Sequence, residues 1–303
     1  AMYYKYFFIS CLISLSFSQN ELPKPLLNEQ IVKHSGFTLS YNEKYEQASW
    51  VAYELTADEL IKRVKRSDSF KKDSKVSTGS SLPSDYAKSG YDRGHLAPAA
   101  DLSWSEATMK ESFYMSNMSP QKPGFNRGIW KKLEGYVRQW AFDNGAIYVV
   151  TGGVLKDIDQ YIGKSNVGVP KYYYKVILDY SGPEKKGIGF ILPNQSSSKK
   201  LQLLAVTIDD IELITGIDFF HSIPDSEEKF LESQFDVNQW LFKNYISKSN
   251  IISSTTSIVD SLKGNFNSIF PSSSVVQCNG ITKSGNQCKR KTSNDSGFCY
   301  MHD

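Results

Sequence analysis

The amino-acid sequence predicts an α+β fold in which helices flank one central sheet. The chain has 303 residues, of which 40% are hydrophobic and 13% aromatic, so it can bury the core of one large domain. Between about residues 26 and 242, strand-like segments rich in β-branched and aromatic residues alternate with helix-like segments. No internal repeat is apparent. One sheet system with helices packed against it accounts for this pattern best.

Five segments have the patterns of strands. Residues 37–41 and 49–55 alternate apolar and polar positions on either side of a polar turn, which predicts a hairpin. Residues 146–150, 172–178 and 187–192 are β-branched and aromatic runs bounded by Gly, Pro or Asn. We expect these three runs to be strands in the core of the sheet.

Two segments have the apolar spacing of helices. Between Ile129 and Ala141 apolar residues recur every three or four positions, which predicts a helix that begins near Asn126 and ends at residues 144–145. A second helix is expected to begin at residues 209–210, whose carboxylates suit a helix N-terminus, and to close at Gly216. Residues 65–90 form a polar stretch too long for a simple connection, so we expect it to be functional or mobile.

The first residues have the pattern of an export signal. Lys5 precedes an apolar run over residues 6–17, which is shorter than the ~20 residues that span a bilayer. We expect a signal peptide over residues 1–18, cleaved before Gln19, and a secreted or periplasmic protein. Retention of the segment as a membrane anchor is the alternative.

The C-terminal end predicts a separate small unit. Residues 247–275 have the Ser-rich composition of a linker, which separates a main domain over residues 26–246 from a module over residues 276–303. The potential metal ligands of this module are Cys278, Cys288, Cys299 and His302. Three thiols and an imidazole suit a tetrahedral Zn²⁺ site, although no Cys-x-x-Cys pair is present. In an exported protein the alternative is a disulfide with one free thiol.

Residues 91–100 contain the groups that phosphodiester hydrolysis needs. A histidine can serve as the base for water, an arginine can hold the phosphate and a carboxylate can orient the base. His95, Arg93 and Asp92 supply these groups around Gly94, whose missing side chain would allow a substrate backbone to approach. His34 and His221 have no comparable polar neighbours in sequence, so we expect them to be core or surface residues.

Further polar residues follow this motif. Asn117 and Asn126 precede the predicted helix, and Glu134 and Arg138 lie one turn apart on it. If the helix is regular, Asn126, Glu134 and Arg138 edge one stripe of its surface. The alternatives are that Asn126 is only an N-cap and that Glu134 and Arg138 form a solvated ion pair.

Ordered motifs over about residues 30–242 resemble the DNA/RNA non-specific endonuclease family, of the endonuclease G and Serratia nuclease type. The resemblance is carried by residues 90–96 with the DRGH sequence, by residues 113–121, and by Phe125 and Asn126 with the following Trp130 and Glu134. It implies a ββα-metal (His-Me finger) nuclease fold with a central antiparallel sheet flanked by helices. His95 would lie on the two strands of the finger and Asn126 on its helix.

The resemblance also implies a Mg²⁺-dependent endonuclease, with Mn²⁺ as a possible substitute for the metal. His95 would be the general base that deprotonates water, and Asn126 would be the one protein ligand of the Mg²⁺. The products would carry 5′-phosphate ends. Such a site reads no base edges, so DNA and RNA would both be substrates.

Supporting roles are implied for five more residues. Glu134 would orient water near the metal, and Asn117 would support the site through hydrogen bonds. Arg93 and Arg138 would hold the phosphate, and Arg66 is a further candidate for that role. Relatives in this family commonly dimerise, so a homodimer is an additional expectation.

The C-terminal residues are similar to small zinc-binding modules that are appended to bacterial and phage proteins. The basic run at residues 289–291 could contact nucleic acid or be a solvated surface. The net charge of +3 is compatible with a polyanionic partner but does not require one. The alternative functions are a catalytically inactive nucleic-acid-binding protein on a nuclease scaffold and a phosphodiesterase for small or lipid-linked substrates.

Overall fold

The computed structural model describes residues 22–242 and the backbone of two short strands near the C-terminus. The strands, in chain order, are β1 (Gln30–Lys33), β2 (Thr38–Asn42), β3 (Gln47–Thr56), β4 (Asp92–His95), β5 (Met118–Gln121), β6 (Ala146–Gly153), β7 (Tyr161–Ile162), β8 (Val167–Gly168), β9 (Tyr172–Asp179), β10 (Lys186–Pro193), β11 (Ala205–Val206), β12 (Val276–Gln277) and β13 (Lys291–Thr292). The helices are α1 (Glu106–Ser112), α2 (Lys131–Asn144), α3 (Ile208–Thr215) and α4 (Asp225–Glu232).

One seven-stranded sheet, with all neighbouring strands antiparallel, organises the domain in the order β1-β2-β3-β6-β9-β10-β11. The expected hairpin is present as β2 and β3, and the three expected core strands are β6, β9 and β10. These strands are covered on both faces, so their sequences are almost continuously apolar. The predicted central antiparallel sheet is therefore confirmed.

Helices pack on both faces of this sheet. On one face Leu133, Val137 and Trp140 of α2 join the cluster that contains Val149 and Phe190. Burying each such side chain contributes roughly 1.5–3 kcal/mol, more than the ~0.7 kcal/mol range of helix propensities among ordinary residues. Packing against the sheet therefore determines which side of α2 faces inward.

The opposite face of the sheet is covered by α3 and α4. Ile208 and Ile211 of α3 and Leu231 of α4 pack there. Gly189 of β10 makes the close approach possible, because a Cβ at this position would lie 2.6 Å from Cδ1 of Ile211. The two α-helical layers thus lie on either side of the seven-stranded sheet.

The predicted helix ends are confirmed for α2 and α3. Gly145 follows α2 with a φ of 84°, and Gly216 follows α3 with a φ of 74°. Both values lie in the region that glycine adopts without a steric penalty. At the start of α3, the Thr207 side chain accepts a hydrogen bond from the backbone N–H of Asp210.

The two terminal predictions lie outside the described residues. The proposed signal peptide falls entirely within residues 1–21, and the side chains of Cys278, Cys288, Cys299 and His302 are not described. Within residues 22–242, no helix is both long and apolar enough to cross a membrane.

Candidate active site

The DRGH motif lies on a ββα unit beside the main sheet. Strand β4 carries Asp92 through His95 and pairs in antiparallel register with β5. After β5 the chain forms a π-helical segment, Phe125–Trp130, which leads directly into α2. The structure therefore places the histidine and the asparagine of the two motifs on one ββα unit.

Gly94 is required by the packing of β4 against β5. A Cβ at Gly94 would lie 2.2 Å from Cδ of Gln121, whose buried side chain fills the space above the glycine. The expectation that Gly94 admits a substrate backbone is therefore wrong, because the neighbouring strand already occupies that space.

His95 ends β4 in a half-buried aromatic surrounding. Its ring packs edge-on against Phe113, with centroids 4.9 Å apart, and lies 5.8 Å from the ring of Phe70. Nε2 is buried and has no hydrogen-bond partner. Burial, followed by the positive charge of Arg66, lowers the pKa of His95 to about 3. The imidazole is therefore neutral at pH 7, which is the state that a general base needs.

Two guanidinium groups lie beside this histidine on the same aromatic residues. The guanidinium of Arg93 lies over the ring of Phe70 at 4.3 Å, and that of Arg66 lies over the ring of Phe113 at 4.9 Å. Both side chains are exposed, so their remaining N–H groups can reach an anion. The polar stretch over residues 65–90, expected to be functional or mobile, thus contributes Arg66 and Phe70 to the site.

Asp92 does not contact the histidine that it was expected to orient. Its Oδ2 accepts hydrogen bonds from Nδ2 of Asn126 and from Nε of Arg127, both at 2.9 Å, and its Oδ1 accepts one from Nη2 of Arg127 at 2.6 Å. Because Nδ2 is the donor to this carboxylate, Oδ1 of Asn126 is the atom left to bind a cation. Asp92 therefore orients the asparagine.

Asn126 lies inside the π-helical segment, where its backbone N–H donates to the carbonyl of Lys122. It is not an N-cap, so that alternative is wrong. Gly128, two residues later, has non-helical dihedral angles. The π-helical turn and this kink change the register, so Asn126 does not share a regular α-helical stripe with Glu134 and Arg138.

Asn117 is fully buried and holds the segment that follows β4. Its Oδ1 accepts from the N–H of Ala97, and its Nδ2 donates to the carbonyls of Ala97 and Ser112, all at 2.9 Å. All of these bonds are to backbone, and they fix the chain immediately after His95. The expectation that Asn117 supports the site through hydrogen bonds agrees with this geometry.

Glu134 and Arg138 belong to a group of charged residues whose charges interact; the other members are Asp101 and Lys175. Arg138 does not pair with Glu134, so the alternative of an ion pair between them is wrong. Its Nη1 instead contacts Oδ1 of buried Asp101 at 2.7 Å, and the hydroxyl of Tyr53 donates to Oδ2 of Asp101 at 2.9 Å. Only 28% of the Arg138 side chain is exposed. Three arginines were expected to hold the phosphate, and of these Arg138 is the one that pairs with a buried carboxylate.

Lys175 is a member of this group that the sequence analysis missed. It is fully buried in the middle of β9, and its Nζ lies 4.8 Å from the centre of the Trp130 ring. Burial lowers the pKa of Lys175, while burial raises the pKa of Glu134, and the attraction between the two groups opposes both shifts. The available signal was a lysine inside an apolar strand, since lysine is rarely buried without a charged neighbour.

The histidine assignments outside the site are confirmed. His34 is a core residue, with Nε2 2.9 Å from Oδ2 of Asp73, and Asp73 also accepts a hydrogen bond from Ser116 at 2.5 Å. His221 is exposed at the surface.

Comparisons with known proteins identify the family of the chain. The sequence profile of the DNA/RNA non-specific endonuclease family matches residues 17–226. Nuclease C1 of Cunninghamella echinulata var. echinulata is 38% identical over 213 residues, which are 63% of this chain and 83% of that protein. Mitochondrial nuclease EXOG of Danio rerio is 33% identical over 212 residues, which are 63% of this chain but only 60% of EXOG.

A solved structure shows the same fold. One chain in a crystal structure of the EndoG/EndoGI complex, described as showing the mechanism of EndoG inhibition, superimposes with a TM-score of 0.62 at 34% sequence identity. The superposition covers 66% of this chain and 89% of that chain. With its mixed α/β fold, large antiparallel sheet and DRGH-bearing ββα unit, the chain belongs to the DNA/RNA non-specific endonuclease family.

Proposed function

We propose that the protein is a Mg²⁺-dependent endonuclease that hydrolyses DNA and RNA to products with 5′-phosphate ends. The observation that supports this most strongly is the pairing of two prepared groups on one ββα unit. His95 is held neutral in an aromatic surrounding, and Asn126 is held by Asp92 with its amide oxygen available.

The residues present fit a Mg²⁺ ion. Magnesium prefers oxygen ligands and keeps several waters, so one amide oxygen with a carboxylate behind it is a suitable protein contribution. Asn126 would hold the ion through Oδ1, and Asp92 would fix that orientation. Mn²⁺ has similar ligand preferences and would substitute for Mg²⁺. When bound, the ion would neutralise charge on the phosphate and on the departing 3′ oxygen.

His95 would take the proton from the attacking water. Because Nε2 is buried, Nδ1 would be the nitrogen that accepts this proton, in the tautomer that carries its hydrogen on Nε2. Asn117 would position the histidine by fixing the following backbone. Glu134, whose charge interacts with that of Lys175, would orient water near the metal.

Arginines would hold the phosphate. Arg93 and Arg66 expose guanidinium groups that are anchored on aromatic rings, which reduces the entropy lost on binding. Arg138 would contribute the same charge from its position on Asp101. Because these groups contact phosphate and not base edges, cleavage would depend little on sequence and binding would weaken as salt rises.

The decisive experiment is plasmid nicking and RNA cleavage in Mg²⁺ and in EDTA, with His95→Ala and Asn126→Ala beside the wild type. Both variants should lose at least about a hundredfold in rate. His221→Ala is the matched control, since it removes an exposed histidine outside the site, and it should retain full activity. Wild-type protein that binds nucleic acid but does not cut it with Mg²⁺ would instead support the inactive binding protein.

The terminal segments extend the proposal. We propose that residues 1–18 are a cleaved signal peptide, that the mature enzyme is secreted or periplasmic and able to form a homodimer, and that residues 276–303 bind Zn²⁺ beyond a linker. Metal analysis of the purified chain should find about one zinc ion, and a chain ending at residue 246 should have none while keeping nuclease activity. Equal zinc contents in the two proteins would contradict the zinc module.

A further inference from the structure

A group of carboxylates lies between α3 and α4, on the face of the sheet opposite α2. Asp209 and Glu212 are three residues apart on α3, so they lie on the same side of that helix. Glu232 is the last residue of α4. One carboxylate oxygen from each of the three lies within 4.8 Å of the other two.

Glu232 is the unusual member of this group. Only 5% of it is exposed, and its Oε1 is buried without a hydrogen-bond partner. A buried carboxyl oxygen without a partner costs free energy, and the C-terminal end of α4 adds the unfavourable negative end of the helix dipole. Fold stability alone therefore gives no reason for a carboxylate at this position.

Within the described residues, the basic side chain whose charge acts on the group is Lys229 of α4, which partly offsets the rise that burial causes in the pKa of Asp209 but forms no salt bridge with it. None of the three carboxylates forms a salt bridge there; the nearby Asp218 is the one that pairs with Lys24, at 3.2 Å. Glu212 accepts a hydrogen bond from the N–H of Phe219 at 2.7 Å, which uses Oε1 and leaves Oε2.

We propose that Asp209, Glu212 and Glu232 form a second divalent-cation site, which binds Ca²⁺ and fastens α3 to α4. Calcium accepts several carboxylate ligands in irregular geometry, whereas magnesium is usually bound through one or two carboxylates and retains its waters. The half-open position of the group, with Asp209 exposed and Glu232 buried, leaves room for water to complete the coordination. This site is separate from Asn126, and it does not depend on the proposed nuclease mechanism.

The test uses the full chain carrying Asn126→Ala, which removes the ligand proposed for the catalytic ion. The protein is first depleted of Ca²⁺, and the ion is then added back. Calorimetry measures Ca²⁺ binding, and thermal unfolding measures the change in the unfolding midpoint of the protein. We expect one Ca²⁺ to bind and the midpoint to rise. Adding Glu232→Gln should weaken Ca²⁺ binding more than about tenfold and abolish the rise.

Two further variants keep the test decisive. Glu106→Gln, an exposed carboxylate on α1, should leave Ca²⁺ binding unchanged. Asp209→Asn changes an exposed ligand and should weaken binding even if Glu232→Gln folds poorly. The proposal would be overturned if the Asn126→Ala protein bound no Ca²⁺ at millimolar concentration. It would also be overturned if adding Glu232→Gln to that protein left its affinity for Ca²⁺ unchanged. Glu232→Gln alone should nick DNA with Mg²⁺ at the wild-type rate, so failure here is distinct from failure of the nuclease mechanism.

Discussion

The carboxylate of Asp92 accepts a hydrogen bond of 2.9 Å from the side-chain amide of Asn126, 34 residues later in the chain. This bond joins β4 to the π-helical segment and determines which amide atom of Asn126 is free. The DRGH motif therefore contains both the proposed general base, His95, and the group that orients the proposed metal ligand, Asp92.

Removal of the Asp92 carboxylate should weaken the proposed metal site without unfolding the protein. In Asp92→Ala, Asn126 loses the partner that fixes its amide, so the Mg²⁺ concentration for half-maximal nicking should rise by about 10- to 100-fold. Arg127→Ala is the control, because it removes the exposed partner and keeps the bond to Asn126. A larger effect of Arg127→Ala than of Asp92→Ala would contradict this role.

Protonation of His95 should destabilise the folded protein. The pKa of His95 is about 3 in the folded state and ~6.5 in the unfolded chain, so between these values the unfolded state binds more protons. The contribution is fully present above pH ~6.5 and is lost as pH falls toward 3. Urea unfolding between about pH 7 and pH 4 should show a shallower decline for His95→Gln than for the wild type. Parallel declines would mean that the folded pKa is not lowered.

Replacement of Lys175 should act through Glu134. Lys175→Met keeps the length of the side chain but removes the charge that favours the ionised form of Glu134, so the pKa of Glu134 should rise further. The nicking rate at pH 7 should fall roughly tenfold and recover partly toward pH 9, where Glu134 ionises. In the Glu134→Gln background the same change should have little additional effect. A loss of equal size at all pH values would indicate damage to packing instead.

Gly94 should not tolerate even a methyl group. Gly94→Ala places a Cβ against the side chain of Gln121 and should lower the free energy of unfolding by about 1–3 kcal/mol. Gly135→Ala is the matched control: the space around Gly135 of α2 is open, so alanine should stabilise the helix by about 0.5–1 kcal/mol. Denaturant titration measures the free energy of unfolding of both variants. Adding Gln121→Ala to Gly94→Ala should restore part of the lost stability. Equal stabilities of the two alanine variants would exclude the steric conflict.

Features that depend on local interactions were predictable from the sequence. Five of the seven strands of the sheet follow from alternating or continuous apolar runs, and the C-terminal ends of α2 and α3 follow from Gly145 and Gly216. Each depends on the preference of one residue or on a short period. The short helix α4 was not predicted, because its eight residues are mostly charged and only its packing against β10 reveals an apolar side.

The sequence by itself determined the α+β class, the family and the residue types at the site, including His95 and Asn126. Only the tertiary structure decided which groups meet: Asp92 with Asn126, Arg138 with Asp101, and Lys175 near Glu134. The physical reason is that residue patterns encode local backbone preferences and burial. The partner of a charged side chain depends instead on strands and helices that are distant in sequence and become neighbours only when the sheet and α2 pack together.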